Sequence, residues 1–253
     1  MPELQEINII EELKKLFDKG FIKTLRENDT GIGYTLETLL KIKENNVGEP
    51  DFKFNEIPVE LKAQRKYAKS KITLMTKTPY WEPLPAKDII KMFGYKDKMG
   101  RQGLKITLTA TEGYNSRGFK LELDRKANRI NIVQKGFGVV CYYKIDELMN
   151  KLKVKIFKNL LLVLADTEKK DKSEYFRYEK GILLKDLSEE AFEKLFSEGH
   201  IVWEFRMHLK ENGGVRDHGP GFRINRSKIK ELYSEQEVIF DGSEQTKLSE
   251  EQK

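Results

Sequence analysis

Apolar and polar residues alternate through the middle of the chain, over residues 104–143. Asparagine and glycine residues interrupt the alternation at positions suited to turns, among them Asn128 and Gly136. Because successive side chains of a strand point to opposite faces, this pattern predicts an antiparallel meander with one buried and one solvated face. The chain is therefore restricted to folds that contain a substantial antiparallel sheet.

Helical periodicity is found on both sides of this meander. Apolar residues recur at intervals of three and four over residues 4–17, which predicts an amphipathic helix ending near Gly20, and Thr30 opens a second helix. Further helices are predicted over residues 86–94, 145–152, 188–196 and 227–233, and strands over residues 52–54, 58–63, 71–77, 156–165, 175–184, 201–209 and 221–225. We therefore expect an α/β fold of mixed type, with a mostly antiparallel central sheet and flanking helices.

Composition excludes several classes of protein. The 253 residues carry 47 Lys+Arg against 41 Asp+Glu, and the net charge of +6 is a mild indication of a polyanionic partner. The single cysteine, Cys141, excludes an internal disulfide and no Cys/His cluster has zinc-site spacing, so we expect a reducing, cytoplasmic compartment. No apolar run reaches the length of a membrane span, so no membrane partner is expected. The acidic N-terminus argues against a signal peptide.

The most informative stretch brings two carboxylates and a lysine together. Glu60 and Lys62 are separated by one residue, so on a strand both side chains point to one face while Leu61 points to the core. If residues 55–57 form the turn of a hairpin, Asp51 returns beside Glu60. Two carboxylates and one ammonium group then converge at one edge of the strand pair.

Hydrolysis of a phosphodiester requires such a set. Mg²⁺ prefers oxygen ligands and is often held by one or two carboxylates together with phosphate oxygens and water. The metal polarises the phosphoryl oxygen and lowers the pKa of its bound water, and Lys62 can orient the attacking water and stabilise developing charge. We therefore predict Mg²⁺ bound by Asp51 and Glu60, with Mn²⁺ expected to substitute for it and with Glu37 as an outer ligand.

An ordinary structural interpretation competes with this one. Short Asp…Glu-X-Lys patterns occur by chance in chains rich in Lys and Glu, and a Glu and a Lys two positions apart are ordinarily the wet face of a strand. Two features favour the nuclease interpretation. The first is a basic strip over residues 61–79, which contains no acidic residue and resembles a phosphate-binding surface. Its basic residues are Lys62, Arg65, Lys66, Lys69, Lys71 and Lys77.

The second feature is a polar turn rich in glycine, far from the first site in the sequence. Arginine pairs bidentately with guanine and aspartate accepts a hydrogen bond from cytosine, so a cluster of such residues is a candidate base reader. An ordinary turn closed by Asp217 and Gly219 is the alternative. The candidate readers are Arg216, Asp217, His218 and Arg223.

Four ordered motifs resemble the MvaI/BcnI restriction endonucleases, relatives of the MutH mismatch-repair nickase. Residues 28–40, Asn-Asp-Thr-Gly-Ile-Gly-Tyr-Thr-Leu-Glu-Thr-Leu-Leu, resemble the first-helix motif of that family. Asp51, the Glu-Leu-Lys run that ends at Lys62, and residues 65–79 resemble its catalytic block. Phe-Gly-Tyr at residues 93–95 and the polar turn around Asp217 resemble later landmarks. The resemblance extends in order over most of the chain, from residue 22 to residue 239.

The resemblance implies a PD-(D/E)XK nuclease with two lobes around a DNA cleft. The catalytic lobe is expected over about residues 1–100 plus returning segments, and the recognition lobe largely over residues 101–240. Residues 241–253 are predicted to be a disordered tail. Family members act as monomers on short, nearly palindromic sites of the CC-N-GG type and nick one strand after the other. A cognate DNA methyltransferase is then a functional partner that need not be bound.

The resemblance also assigns residues to roles. The family's active-site acids and lysine correspond to Asp51, Glu60 and Lys62, and Glu37 corresponds to a supporting acid. The family's base readers correspond to Glu204, Arg206, Asp217, His218 and Arg223.

The chain departs from the family pattern at three positions. The spacing between Asp51 and Glu60 matches the BcnI-like branch, but Thr76 and Gly221 stand where that branch has histidines that read the central base pair. At those two positions the chain is closer to the MvaI-like branch, which accepts A·T at the centre. Arg216 stands where both branches have histidine.

The sequence thus predicts a Mg²⁺-dependent, sequence-specific endonuclease of double-stranded DNA. Lys66, Lys69 and Lys77 are expected to contact phosphates, and Arg206 and Arg223 to contact guanines. Three alternatives stay open: a MutH-like nickase that needs an activating partner, a DNA-binding module without catalysis, and a structural or RNA-binding protein. The last has the least support, since no aromatic-rich RNA-binding strand is present.

Overall fold

The computed structural model describes residues 4–42, 50–68, 70–156, 159–217 and 219–243. The helices are α1 (Ile9–Asp18), α2 (Gly31–Leu39), α3 (Ala86–Phe93), α4 (Ile145–Ile156) and α5 (Glu189–Ser197). The strands are β1 (Ile22–Lys23), β2 (Phe52–Phe54), β3 (Ile57–Arg65), β4 (Ile72–Thr76), β5 (Tyr95–Lys96), β6 (Gln102–Thr109), β7 (Phe119–Asp124), β8 (Arg129–Gln134), β9 (Gly138–Lys144), β10 (Asn159–Lys170), β11 (Ser173–Leu187), β12 (Ile201–Leu209), β13 (Val215–Asp217), β14 (Gly221–Ile224) and β15 (Tyr233–Asp241). The predicted mixed α/β class is confirmed.

The chain divides into two compact units, and it passes from one to the other several times. The first unit comprises Met1–Lys69, Lys153–Leu187 and Tyr233–Lys253, and the second comprises Ser70–Leu152 and Ser188–Leu232. Residues 70–100, which the sequence assigned to the catalytic lobe, lie in the second unit, because β4 pairs there with β14.

The first unit contains, within the described residues, a six-stranded sheet in the order β1-β11-β10-β3-β2, with β15 beside β11. β3 and β10 pair in parallel. The sequence between these two strands contains the whole first segment of the second unit, Ser70–Leu152. Helix α1 buries Ile9, Leu13 and Leu16, as its predicted amphipathic spacing requires. These side chains pack in one hydrophobic core with Phe52 of β2 and Leu61 of β3. The core contacts therefore fix the position of the β2–β3 hairpin in the unit.

The second unit contains two antiparallel sheets among the described residues. One has the order β4-β14-β12-β6-β5 with β13 beside β12, and the other has the order β7-β8-β9. The predicted meander over residues 104–143 is therefore divided: β7, β8 and β9 form it, whereas β6 pairs with β12. Alternation reports which face of a strand is buried but not which strand is its neighbour, so the sequence pattern did not reveal this separation.

Two predictions near the C-terminus need correction. The predicted helix over residues 227–233 is a 3₁₀ helix over Arg226–Leu232, and Tyr233 instead begins β15. β15 continues to Asp241, where the tail was predicted to start. The remainder of that predicted tail, residues 244–253, lies outside the described residues. Within the described ranges, no helix is long and apolar enough to cross a bilayer.

Candidate active site

The hairpin of β2 and β3 carries the predicted catalytic residues. Asn55 and Glu56 both adopt positive φ, 50° and 64°, which is the requirement of a two-residue type I′ turn. The turn fixes the register, so that Phe52 pairs with Val59. The predicted hairpin is confirmed, with a turn one residue shorter than expected.

Asp51 lies directly before β2 and returns beside Glu60. Its backbone N–H donates to the carbonyl of Val59 at 3.1 Å. Its carboxylate Oδ2 accepts a hydrogen bond from the backbone N–H of Leu61 at 2.7 Å. Both contacts hold Asp51 at the level of Glu60 on the neighbouring strand, so the structure brings these two predicted residues together.

Glu60 and Lys62 share one face of β3, as predicted, and Leu61 faces the core. The Lys62 ammonium group donates a hydrogen bond to Glu60 Oε1. Glu60 is only 5% exposed, because Leu160 of β10 pairs beside it. A buried carboxylate is costly unless it is paired, and Lys62 supplies the partner. The pair therefore holds the ammonium group beside the Glu60 carboxylate.

Two further polar residues of this neighbourhood were not predicted. Gln64 continues the face of Glu60 and Lys62 and is buried, a position that strand alternation would have revealed. Tyr233 comes from β15, far away in the sequence, and no sequence signal marks it. Burial, together with the negative charge of Glu60, raises the pKa of the Tyr233 hydroxyl well above its usual range. That buried hydroxyl has no hydrogen-bond partner among the described residues.

Glu37 lies on α2, which packs against β3. Burial and the negative charge of Glu37 raise the pKa of Tyr178 on β11 well above its usual range. The Tyr178 hydroxyl donates to the Ile32 carbonyl in the first turn of the helix at 2.9 Å, so it ties α2 to the sheet. Glu37 is thus placed in the same unit as the hairpin, on the helix that the sequence expected to supply the supporting acid.

Two basic residues of the strip over residues 61–79 are paired with carboxylates from another strand. Arg65 donates two hydrogen bonds of 2.6 Å to the carboxylate of Glu174. Lys66 donates to Glu179 at 2.9 Å. These carboxylates come from β11 and bring negative charge next to a segment that contains none of its own. Lys69 lies outside the described residues.

Lys77, another predicted phosphate contact, belongs to the second unit and is paired there. Its ammonium group donates to Glu147 at 3.1 Å, and the Tyr80 hydroxyl donates to the same carboxylate at 2.6 Å. The hydrogen bonds from Tyr80 and Lys77 lower the pKa of Glu147 to about 2. Tyr143, whose hydroxyl donates to the Lys77 carbonyl at 2.8 Å, joins this network to the core of the unit.

The lowered pKa of Glu147 predicts a pH-dependent contribution to stability. Because the ionised form is favoured in the folded state, the contribution is present above the unfolded pKa near 4.5 and is lost as the pH falls toward about 2. We expect wild type to melt at a higher temperature than Glu147→Gln at pH 6 and this difference to shrink at lower pH. Thermal unfolding of both proteins measures it, with the exposed Glu112→Gln as control. A difference that stays constant with pH would contradict the assignment.

The predicted base readers of β12 and β14 meet on one face of the second unit. Arg223 donates to the two carboxylate oxygens of Glu204 at 3.3 and 3.2 Å, and to the carbonyl of Lys71 at 2.9 Å. Arg206, two residues after Glu204, places its Nε 3.7 Å from Glu204 Oε2. Glu204 is thus hydrogen-bonded to Arg223 and forms a longer ion pair with Arg206.

The remaining predicted readers lie around β13. The Asp217 carboxylate accepts a hydrogen bond from the backbone N–H of Gly219 at 2.9 Å, so Asp217 closes the turn that the sequence left as the alternative. Gly219 has φ +79°, a conformation that favours glycine. Arg216 lies across from His208 of β12. His218 lies outside the described residues.

The chemistry of the donors in the hairpin fits a hard divalent cation. Among the residues that the structure describes, no group of three or more His, Cys, Asp or Glu side chains is arranged to hold a metal ion. Mg²⁺ is commonly held by one or two carboxylates, and substrate phosphate and water complete its coordination. Asp51 and Glu60 supply two carboxylates of this kind.

Comparisons with known proteins place the chain in a family. The sequence model of the MvaI/BcnI restriction endonuclease family matches residues 10–233. A solved complex of the restriction endonuclease MvaI with its cognate DNA substrate matches with a TM-score of 0.76 and 30% identity, over 91% of this chain and 96% of that chain. MvaI solved in the absence of DNA matches with a TM-score of 0.54 and 29% identity, over 92% and 96%. No curated protein sequence matches significantly.

The structural similarity to MvaI covers nearly the whole length of both chains. The structural match to MvaI identifies the fold as the PD-(D/E)XK nuclease type. The family match covers the β2–β3 hairpin of the first unit and the strands β12 and β14 of the second. The chain therefore belongs to the MvaI/BcnI restriction endonuclease family and is a site-specific deoxyribonuclease.

Proposed function

We propose that this chain is the Mg²⁺-dependent endonuclease of a restriction–modification system, cutting double-stranded DNA at a short CC-N-GG-like site. The observation that carries the proposal is the convergence of Asp51, Glu60 and Lys62 on one hairpin. The enzyme works as a cytoplasmic monomer that nicks the strands in sequence. A cognate methyltransferase protects the host DNA and need not bind this chain.

Asp51 and Glu60 would hold the divalent ion. When bound, the metal polarises the phosphoryl oxygen and lowers the pKa of a coordinated water. Asp51 is oriented for this by the backbone N–H of Leu61, which fixes Oδ2 at 2.7 Å. Glu60 is held in place by burial and by Lys62. Mn²⁺ is expected to substitute, because it accepts the same oxygen ligands.

Lys62 would act on the attacking water and on developing charge. Its ammonium group is held by Glu60, so its position is set before DNA binds. A preorganised cation stabilises a transition state without the cost of reorganising during the reaction. Glu37, on the neighbouring helix, is proposed as a supporting acid.

We assign DNA recognition to the sheet face of the second unit that carries Glu204, Arg206 and Arg223, called here the reading face. Arg206 and Arg223 would contact guanines, since an arginine fork matches the two acceptors of guanine in the major groove. Glu204 carries the counter-charge to both arginines and would also accept from a base amino group. Arg216, Asp217 and His218 are proposed to extend this surface. The proposed phosphate contacts are Arg65, Lys66, Lys69 and Lys77. On binding DNA, Arg65, Lys66 and Lys77 would exchange their carboxylate partners for phosphate.

Digestion of a supercoiled plasmid tests the proposal. With Mg²⁺ we expect an open-circle product to accumulate before linear DNA, because a monomer with one site cuts one strand per visit. Excess EDTA should stop both steps. Run-off sequencing of the products then gives the recognition sequence.

Each other outcome of the digestion contradicts part of the proposal. Linear DNA that appears without a nicked species would indicate a dimer. Nicking that never proceeds to linear DNA would indicate a MutH-like nickase. DNA that is bound but not cut with either Mg²⁺ or Mn²⁺ would indicate a binding module.

A further inference from the structure

A basic pocket lies at the edge of the reading face, within the second unit. It has a volume of about 330 Å³ and opens beside the short edge strand β5 and the β5–β6 turn. Its polar lining consists of Tyr95, Asp97, Arg101, Lys105, Arg206 and His208. Of these residues, only Arg206 has a role in the function proposed above.

Arg101 is hydrogen-bonded to Asp97 at the rim of this pocket. Asp97 accepts hydrogen bonds from Arg101 Nε at 2.9 Å and from its terminal NH2 at 2.7 Å. Asp97 also accepts from the Arg101 backbone N–H at 3.0 Å. These bonds lower the pKa of Asp97, which therefore stays ionised. The guanidinium group is directed by this clamp, and its other terminal nitrogen, NH1, lies 3.5 Å from His208 Nε2.

Two more cations reach the pocket from adjacent strands. Lys105 of β6 pairs directly with Arg206 of β12, so both side chains point to the same face of the sheet. The lining of the pocket thus contains three cationic side chains and one carboxylate, Asp97, which Arg101 engages; Arg206 also pairs with Glu204, which lies outside the lining. His208 adds a further positive charge when it is protonated. The pocket is thus built to receive an anion.

The place of the pocket in the sheet indicates which anion it receives. Strands lie ~4.8 Å apart, so β5, two strands from β12, is ~10 Å from the readers on β12. The major groove is ~12 Å wide, so a duplex whose bases are read at β12 has its backbone ~6 Å to either side. For a duplex whose major groove lies over β12 and runs along that strand, β5 and its turn are far enough from the readers to meet a backbone phosphate.

We propose that this pocket binds a backbone phosphate of duplex DNA, next to the base pairs that Arg206 and its neighbours read. Arg101 and Lys105 are the phosphate-binding residues, and Asp97 is the positioning residue of Arg101. The assignment rests on the proposed function, since it requires DNA across the reading face. It adds a contact that positions the duplex without reading its sequence.

The test measures salt-dependent binding to a duplex that carries the site found by run-off sequencing, with Ca²⁺ in place of Mg²⁺. We expect Arg101→Ala and Lys105→Ala each to reduce the salt slope of log affinity by ~1. Arg101→Lys should keep the slope. Lys105 is exposed on its strand, so its variant tests the pocket even if Arg101→Ala, which deprives Asp97 of its partner, fails to fold. The exposed Lys126→Ala, in the β7–β8 turn, is the matched control.

A methylphosphonate scan identifies the phosphate. Neutralising the one phosphate that occupies the pocket should weaken binding of wild type but produce no further loss in Arg101→Ala or Lys105→Ala. If both variants keep the wild-type salt slope and every methylphosphonate acts equally on all proteins, the pocket does not bind DNA. If wild type still cuts DNA in that case, only this inference is overturned. If wild type neither binds nor cuts DNA, the proposed function is overturned.

Discussion

Replacing Lys62 by alanine is expected to lower the rate of DNA cleavage by ~10²–10³-fold or more, while specific DNA binding stays measurable. Glu60 holds the ammonium group, and the proposed function places that group where negative charge develops during hydrolysis. Its loss removes a charge that acts in the transition state and leaves the recognition residues of the second unit unchanged. Single-turnover cleavage with Mg²⁺ and binding with Ca²⁺ measure the two effects separately.

The same experiment also requires variants that remove charge but preserve the fold. Lys62→Ala leaves the buried Glu60 carboxylate without its partner, which destabilises the hairpin. Glu60→Gln and Asp51→Asn keep the shape of each side chain and remove its charge, and both should lose cleavage to a similar degree. Lys14→Ala removes an exposed lysine of α1 and should cleave like wild type. Full activity in Lys62→Ala, Glu60→Gln and Asp51→Asn together would disprove the assigned site.

Arg223→Ala is expected to reduce discrimination between the cognate site and a site with one changed base pair by about 1–3 kcal/mol, or ~5–150-fold. The guanidinium group is preorganised by Glu204 and by the Lys71 carbonyl, so little conformational entropy is lost when it meets a guanine. A guanine that loses its bidentate partner is no longer distinguished from other bases at that position.

The ratio of kcat/KM on the two duplexes measures this effect. Glu204→Gln should lower the ratio by less than Arg223→Ala, because the amide still accepts a hydrogen bond but carries no charge. Arg125→Ala is the matched control, since Arg125 pairs with Glu193 and is largely exposed. An equal loss of kcat/KM on both duplexes would mean that Arg223 contacts the backbone rather than a base.

Local chemistry made the β2–β3 hairpin predictable. The Asn55-Glu56 turn, the alternation along β3 and the i, i+2 spacing of Glu60 and Lys62 are all properties of neighbouring residues. The position of Asp51 followed from the turn length. The polar turn marked Arg223 as a candidate base reader, and the family resemblance then added Glu204 and Arg206, which no local pattern marks.

Contacts between distant segments were not predictable in the same way. The basic strip contains no acid, yet Glu174 and Glu179 pair with Arg65 and Lys66 from β11, more than a hundred residues away. Tyr233 reaches the charge of Glu60 from β15 by the same kind of long-range strand pairing. The partner of a charged side chain on a strand depends on which strand lies next to it. That strand order is set by the packing of the apolar faces of whole sheets and helices.

The sequence by itself therefore determined the α/β class, the hairpin and the identity of its charged residues, because turn geometry and side-chain alternation act over a few residues. Only the tertiary structure decided that residues 70–100 join the second unit, that β6 leaves the meander for β12, and that Arg101 and Lys105 share a pocket with Arg206. These outcomes depend on which sheet edges pair and which apolar faces bury each other, and those free energies belong to the whole chain.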